Sequence, residues 1–294
     1  MKTSFIFPLA LLAAACQSQT EYNATGTFES TEIIVSAENS GKLFYLNAEE
    51  GMWFTSGTEV GLIDTVQPYL RKLQLEANMQ SVNSQRPDIQ KQIAAIQEQI
   101  ATSRREQKRT QNLLKANAAN QKELDDWSAQ IAVLQSQLEA QTSSLENNTA
   151  SLTAQGKSIA VQIAQAEDNL RKCHIITPID GTILAKYAEP GEFVSAGKPL
   201  FKIADMKHLF LRAYVTSSQL ADITLGDAVT VFADFGDDIK FEYEGKITWI
   251  ADEAEFTPKT ILTDDERANQ VYAVKIAVLN DGKIKLGMYG EVRF

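Results

Sequence analysis

The chain contains one motif twice, and about a hundred residues of a different character separate the two copies. Three glycines stand in the same register in both copies, and matching alanine, glutamate and isoleucine positions accompany them. The glycines are Gly41, Gly51 and Gly57 in the first copy and Gly181, Gly191 and Gly197 in the second. The spacing between counterparts is constant, since 181 − 41, 191 − 51 and 197 − 57 all give 140. A constant offset predicts two copies of one structural unit that pack together with approximate twofold symmetry.

The residues around these glycines have the composition of short strands. Residues 43–46 and 183–187 are β-prone runs, and glycines bound them where turns need a positive φ or a close backbone approach. We expect the two halves, residues 36–66 and 172–204, to pair into one small sandwich. The pattern resembles the half-motif of lipoyl and biotinyl domains. Those carriers place a modifiable lysine at a tight turn between their halves. Here a long insert replaces that turn, so the fold is expected without the carrier chemistry.

Residues 67–171, between the two copies, have the composition of long helices. The segment is almost free of glycine and proline, and it is rich in glutamine, alanine, glutamate, leucine and isoleucine. Pro87 lacks the N–H that an internal helical hydrogen bond needs, which predicts a break near residues 84–87. A turn is predicted at residues 116–120. Two arms of about fifty residues each would then form an antiparallel hairpin roughly 75 Å long, at about 1.5 Å per residue.

The second arm carries an apolar residue at every seventh position, as the a position of a coiled coil does. These residues are Leu124, Ile131, Leu138, Leu145, Leu152, Ile159 and Ala166. The d positions are apolar at first and then polar: Trp127 and Leu134, then Gln141, Asn148, Gln155, Gln162 and Asn169. The polar d residues either belong to a surface on which neighbouring hairpins pack or simply face water.

Residues 1–15 have the features of a secretory signal, because an apolar run follows Lys2 and small residues precede Cys16. The run is too short to span a bilayer, which needs about 20 residues. The segment that ends at Cys16 resembles a bacterial lipobox, in which the cysteine is acylated, although Ala13 stands where lipoboxes usually have Leu, Val or Ile. We expect a lipid anchor on Cys16; the alternative is an ordinary signal peptide. Residues 16–35 would then form a linker or a first strand.

From residue 205 to residue 294 the apolar residues alternate with polar ones. Leu211, Ala213 and Val215 form one such series, and turn-forming residues separate it from others like it. Several short strands at this spacing predict a small β-barrel. The fold class expected for the whole chain is therefore α+β multidomain: a split lipoyl-like β-domain, interrupted by a long antiparallel helical hairpin and followed by a barrel.

This order of segments resembles that of the HlyD-type membrane fusion proteins, the periplasmic adaptor subunits of tripartite exporters. The resemblance covers essentially the whole chain after the signal. Its most specific stretches are residues 176–181, 191–197, 256–259 and 286–288. It implies a non-enzymatic protein without cofactors, attached to the inner rather than the outer membrane. Its implied partners are an inner-membrane transporter, a TolC-like outer-membrane channel and further copies of the chain in a hexamer.

The resemblance also assigns a role to the hairpin tip. Family members often have an Arg, a Leu four residues later and a Ser seven residues after that, and they use these residues to contact the channel. Arg109 and Leu113 fit this pattern, while Asn120 stands at the serine position. Leu113 could equally be a residue of the hairpin seam.

Other function classes find little support in the sequence. A net charge of −10 argues against general nucleic-acid binding, which needs a basic face. His174 and His208 lack the cysteine or carboxylate spacing of zinc sites, so no metal site is expected. With Cys16 acylated, Cys173 would be a lone thiol. A lipid-anchored coiled-coil scaffold without a transport role is the main alternative, and a lipoyl or biotinyl carrier subunit is a weaker one.

Overall fold

The computed structural model describes residues 22–236, 239–255 and 270–294. The strands are β1 (Ala24–Glu29), β2 (Glu32–Ser36), β3 (Gly41–Leu46), β4 (Trp53–Phe54), β5 (Glu59–Ile63), β6 (His174–Ile176), β7 (Gly181–Lys186), β8 (Phe193–Val194), β9 (Pro199–Ala204), β10 (His208–Thr216), β11 (Ala228–Asp234), β12 (Lys240–Ile250), β13 (Val271–Leu279) and β14 (Tyr289–Arg293). The helices are α1 (Val66–Ser84), α2 (Ile89–Lys115), α3 (Gln121–Arg171) and α4 (Ser217–Leu220). The expected signal, the anchor at Cys16 and the stretch 256–259 lie outside the described residues.

Six strands form a closed barrel in the order β1-β10-β13-β12-β11-β14. Their inward side chains alternate along each strand, and Phe28, Leu211 and Ile276 are almost completely buried in the barrel core. Strand β1 closes the barrel by pairing with both β10 and β14. The predicted bounds of 205–294 are therefore too narrow. The segment predicted as a linker or first strand, 16–35, supplies β1, because the barrel needs an N-terminal strand to satisfy the edges of β10 and β14.

The two copies of the repeat form a sandwich of two four-stranded sheets, ordered β2-β9-β7-β4 and β6-β5-β3-β8. Each sheet contains strands from both copies, so neither sheet is complete with the strands of one copy. The half predicted to begin at residue 36 starts earlier, because β2 pairs with β9. Part of the core is built from equivalent positions in the two copies: Leu43 with Ile183, Ala48 with Ala188, and Ile63 with Ile203 are all buried.

Hydrogen bonds between the halves repeat with the same offset as the sequence. The N–H of Gly51 donates to the carbonyl of Ile183 at 2.9 Å. The N–H of its counterpart Gly191 donates to the carbonyl of Leu43, the counterpart of Ile183, at 2.7 Å. Both glycines have left-handed backbones, with φ of 86° and 95°. The sequence repeat therefore corresponds to an approximate twofold axis in the sandwich.

The helices form the predicted antiparallel hairpin, in which α1 and α2 pack in succession against α3. The first arm breaks between Ser84 and Ile89, as expected from Pro87. After the break, Asp88 caps α2 by accepting a hydrogen bond from the N–H of Lys91 at 3.2 Å. By contrast, α3 runs without interruption for 51 residues. At about 1.5 Å per residue it is about 77 Å long.

The seam of α3 differs from the predicted heptad pattern. The a positions Ile131, Leu145 and Leu152 are buried as expected. The first two predicted d residues also lie in the seam, with Trp127 half-buried and Leu134 buried. From Leu138 onward, however, the second set lies four positions after the a residue: Thr142, Thr149, Gly156, Ile163 and Leu170 are buried or half-buried. The predicted d residues from Gln141 onward are exposed. Both sets of seam residues keep a seven-residue spacing, so the difference is a single four-residue step between Leu138 and Thr142, as a stutter in a coiled coil introduces.

None of the described helices combines the length and the apolar character that a membrane crossing requires.

Candidate functional site

The hairpin reverses through a tightly bonded turn. Helix α2 ends at Lys115, and Asn117 takes a left-handed backbone with φ 56°. The N–H of Ala118 donates to the carbonyl of Leu113 at 2.9 Å, and the N–H of Asn117 donates to that of Leu114 at 3.0 Å. These two bonds form the Schellman arrangement that satisfies the last carbonyls of a helix. The tip therefore presents a defined surface.

Asn120 begins the second arm. Its backbone is extended, and its side-chain oxygen accepts a hydrogen bond from the N–H of Glu123 at 2.9 Å. Asparagine is among the best residues at this N-cap position, and Glu123 adds a negative charge in the first helical turn. Asn120 therefore caps the second helix of the hairpin.

We predict that Asn120→Ala destabilises the tip by about 1 kcal/mol, because the N–H of Glu123 loses its acceptor. Asn120→Ser is the matched control and should retain most of the cap. Hydrogen exchange of the first turn of α3 measures the difference. Equal protection in the two variants would show that the cap does not hold the tip.

The structure places Arg109 and Leu113 on one exposed face of α2, since residues four apart on a helix are neighbours. The Arg109 side chain is 74% exposed, and its nearest carboxylate, Glu106, is 3.8 Å away. Leu113 is 41% exposed, whereas the adjacent Leu114 is half-buried. Leu114 therefore occupies the seam, and Leu113 does not. The two predicted residues lie together, while Asn120 lies across the turn at the start of α3.

The last turns of α2 are basic, although the whole chain is acidic. Arg104, Arg105, Lys108 and Arg109 are all exposed. The contacts within this run are weak: Arg105 reaches Glu98 at 3.2 Å on the same helix. Exposed pairs of this kind contribute at most about 1 kcal/mol, so these cations are available to an anionic partner surface.

The six glycines of the repeat have two structural roles. Four of them, Gly51, Gly57, Gly191 and Gly197, have a positive φ. Gly41 and Gly181 begin equivalent strands, at points where neighbouring atoms leave no room for a Cβ. A Cβ on Gly181 would lie 2.5 Å from the carbonyl oxygen of Ala204, and one on Gly41 would lie 2.8 Å from Ile63 Cγ2. All six therefore shape the sandwich.

One ion cluster in the sandwich was missed by sequence reasoning. Lys186 lies between Glu49 and Glu189, with Nζ 2.7 Å and 2.8 Å from their carboxylates. Its side chain is only 9% exposed, and the carboxylates of Glu189 and Glu49 raise its pKa above the usual range. The glutamates are repeat counterparts, whereas the counterpart of Lys186 is the buried Leu46. The sequence signal that could have revealed this cluster is a lysine where the other copy has a leucine. Lys186 joins the turn that carries Glu49 to the turn that carries Glu189.

The described titratable groups form no catalytic constellation. The two histidines each contact one carboxylate on the surface, with His174 Nδ1 3.0 Å from Glu59 and His208 Nδ1 2.8 Å from Asp205. Within the described ranges, no three His, Cys, Asp or Glu side chains are placed to hold a metal ion. Cys173 is buried, and burial raises the pKa of its thiol. What the described residues offer is contact surface.

Comparison with known proteins identifies relatives over most of the chain. The UPF0194 membrane protein of Yersinia pseudotuberculosis is 30% identical over 283 residues, which span 87% of this chain and 84% of the relative. That of Yersinia enterocolitica is 32% identical over 285 residues, with the same coverage of 87% and 84%. That of Citrobacter koseri is 27% identical over 321 residues, covering 98% and 96%. No family model matches the chain.

Solved structures share the fold at lower identity. MacA from Actinobacillus actinomycetemcomitans has a TM-score of 0.55 and 19% identity, covering 92% of this chain and 76% of MacA. The membrane fusion protein Spr0693 from Streptococcus pneumoniae has a TM-score of 0.52 and 15% identity, covering 92% and 96%. A MacA–MexA chimera that contains the MexA α-hairpin domain has a TM-score of 0.53 and 21% identity, covering 92% and 78%. These likenesses confirm the expected fold class: a split lipoyl-like domain, an inserted helical hairpin and a β-barrel.

Proposed function

Because the chain belongs to the UPF0194 family of membrane proteins, we propose that it is a non-enzymatic periplasmic adaptor of the HlyD type. It links an inner-membrane transporter to a TolC-like outer-membrane channel for efflux or secretion across the envelope. The lipoyl-like domain and the barrel form its base, and the hairpin bridges the distance between the membranes. The energy for transport comes from the transporter.

The hairpin tip is the observation that carries this proposal. An uninterrupted helix of 51 residues ends at a turn whose backbone groups are bonded and whose second helix is capped. Arg109 and Leu113 are exposed together on one face beside this turn. An ordered tip with an arginine and an exposed leucine has the composition of a protein-binding surface, in which arginine is enriched.

The remaining parts of the proposal concern anchoring and assembly. Acylation of Cys16 attaches the chain to the periplasmic side of the inner membrane, and copies of the chain assemble into a ring, with six as the expected number. The transporter can provide a further contact that holds the adaptor at the membrane.

A photo-crosslinker placed at Ala118 tests the proposed docking. We expect it to capture an outer-membrane channel in cells, because Ala118 lies in the turn and is exposed. The matched control is the same crosslinker at Val161, which is also exposed but lies near the base of α3. Capture of cytoplasmic proteins alone, or equal capture of the channel from both positions, would contradict the proposal.

The main alternative is a lipid-anchored scaffolding protein without a transport role, because a long helical rod would serve that purpose too. Gene disruption distinguishes the two. If the chain is an adaptor, disruption of its gene is expected to reduce efflux or drug tolerance. A transporter is then also expected to co-purify with the protein in mild detergent. A scaffold predicts changes in envelope integrity with efflux unaffected.

A further inference from the structure

The chain crosses between the β-barrel and the lipoyl-like domain twice. Residues 30–31 lead from β1 to β2, and residues 205–207 lead from β9 to β10. The strands on either side of these crossings are paired, since β1 pairs with β10 in the barrel and β2 pairs with β9 in the sandwich. The two crossings therefore form one two-stranded ribbon that runs from one domain into the other.

Hydrogen bonds between the two crossings continue this ribbon through the junction. The N–H of Asp205 donates to the carbonyl of Thr31 at 3.3 Å. The hydroxyl of Ser30 donates to the carbonyl of Asp205 at 2.6 Å. An isolated pair of strands is only marginally stable in water, so the ribbon by itself would not fix the angle between the two domains.

The second crossing contains a bulge. The last pair in the barrel joins Glu29 to Phe210, and the first pair in the sandwich joins Glu32 to Ala204. Between these two pairs lie two residues on the β1–β2 side and five on the β9–β10 side. Bulges bend a pair of strands and increase its twist, so the geometry of the extra residues determines how the two domains are oriented.

The carboxylate of Asp205 closes the bulge. Its Oδ1 accepts hydrogen bonds from the N–H groups of Lys207 at 2.9 Å and His208 at 3.1 Å. Its Oδ2 lies 2.8 Å from His208 Nδ1. Aspartate commonly accepts from the backbone two residues later in this way, and such bonds define a turn. Asp205 therefore fixes the conformation of the bulge.

Asn280 attaches the bulge to the barrel. Its Nδ2 donates to the carbonyls of Met206 at 2.8 Å and Ile284 at 3.1 Å. Its Oδ1 accepts from the N–H groups of Gly282 at 3.0 Å and Ile284 at 3.1 Å. The backbone N–H of Asn280 donates to the carbonyl of Lys207 at 2.9 Å. The side chain is buried and uses both donor and both acceptor positions, so opening any of these bonds is costly.

We propose that Asp205 and Asn280 form a latch that fixes the angle between the barrel and the lipoyl-like domain, so that the two β-domains move as one rigid base. The hairpin leaves the lipoyl-like domain where the N–H of Ile63 donates to the carbonyl of Cys173. With a rod about 77 Å long, a change of roughly 10° at the junction would displace the tip by about 13 Å. The latch thus determines where the tip points relative to the barrel. This geometry belongs to a single chain and does not rest on the proposed partners.

Distances between spin labels test the latch directly. Ala196→Cys lies in an exposed turn of the sandwich, and Ala228→Cys lies on the exposed side of barrel strand β11. The full-length protein carries Cys16→Ser in addition, and Cys173 is buried, so only the two introduced thiols are labelled. Dilution with unlabelled protein restricts double electron–electron resonance to pairs within one chain. We expect one narrow distribution of distances, because the latch permits one angle.

Asp205→Ala is expected to broaden this distribution by roughly twofold or more, because the bulge loses three hydrogen bonds. Asp205→Asn should keep the narrow distribution, since its amide oxygen still accepts from the N–H groups of Lys207 and His208. Asp281→Ala is the matched control. Its carboxylate accepts from the N–H of Lys283 at 3.1 Å in the neighbouring turn of the barrel, so its loss leaves the bonds of Asp205 in place.

Asn280→Asp tests the other half of the latch. An ionised aspartate can still accept from the N–H groups of Gly282 and Ile284 in the barrel turn, but it cannot donate to the carbonyl of Met206. We expect the distribution to broaden as it does for Asp205→Ala. Circular dichroism of both variants verifies that the two β-domains remain folded.

Narrow distributions in both Asp205→Ala and Asn280→Asp would overturn the proposal, and so would a broad distribution before either change is made. The outcomes also separate the latch from the adaptor role. If the distributions broaden as expected while the crosslinker at Ala118 captures no channel, the latch stands and the adaptor role fails. If they stay narrow while the channel is captured, the latch is wrong and the adaptor role stands.

Discussion

Gly26→Ala is expected to open the β-barrel and to lower the free energy of unfolding by about 3 kcal/mol or more. Gly26 lies in β1, between β10 and β14, where its partners are Ala213 and Gly290. A Cβ at this position would be 1.9 Å from the carbonyl oxygen of Arg212. That oxygen belongs to backbone that β13 holds on its other side, so no side-chain rotation can relieve the overlap.

Urea unfolding followed by the fluorescence of Trp249, which lies on barrel strand β12, measures this effect in a background in which Trp53 and Trp127 are replaced by Phe. Thr25→Ala is the matched control, because it changes the exposed neighbour in the same strand and is expected to alter stability by about 0.5 kcal/mol at most. If Gly26→Ala unfolds at the same urea concentration as this control, strand β1 does not close the barrel as described.

Ala140→Pro is expected to break α3 and to abolish export if the hairpin bridges two membranes. Ala140 lies in the interior of the 51-residue helix and is exposed. Proline there removes the hydrogen bond to the carbonyl of Ser136 and clashes with it, which costs about 3 kcal/mol or more and kinks the axis. A kink near the middle of the rod would displace the tip, even though both β-domains remain folded.

The same substitution at the start of the helix supplies the control. Gln121 is the first residue of α3, and the preceding Asn120 is extended, with φ −106° and ψ 158°. Proline is well tolerated at a first helical position after an extended residue, so Gln121→Pro should keep its helicity and export activity. Circular dichroism and an efflux assay on both variants separate a kinked rod from a general loss of folding. Full export by Ala140→Pro would show that a straight α3 is not required.

The parts of the fold that follow from local rules could be read from the sequence. The constant offset of the glycines predicted the twofold sandwich, since turns with positive φ leave glycine almost no substitute. The break at Pro87 and the turn at 116–120 followed from the same kind of reasoning. The fold class is confirmed. It could be predicted because residues that determine it occur throughout the chain.

The parts that depend on distant partners could not be read in this way. Strand β1 is six residues long, and its alternating pattern does not reveal that β10 and β14 lie on either side of it. The step in the α3 seam was hidden because the residues that enter the seam after it, such as Thr149 and Gly156, are small or polar and form no apolar series in the sequence. The exposure of Trp53 and Phe193 in the lipoyl-like domain was equally hidden, since aromatic residues in short strands are usually buried.

The point where the hairpin leaves the lipoyl-like domain has a consequence for how such proteins vary in length. The strands before and after it, β5 and β6, are paired, and the N–H of Ile63 donates to the carbonyl of Cys173 at 2.9 Å. Both ends of the hairpin are thus held side by side, so the fold of the lipoyl-like domain does not depend on the length of the chain between them. Matched turns added to or removed from both arms would change the reach of the rod in steps of about 5.4 Å. The length of the hairpin can therefore change, by evolution or by design, to fit envelopes of different width while the two β-domains stay the same.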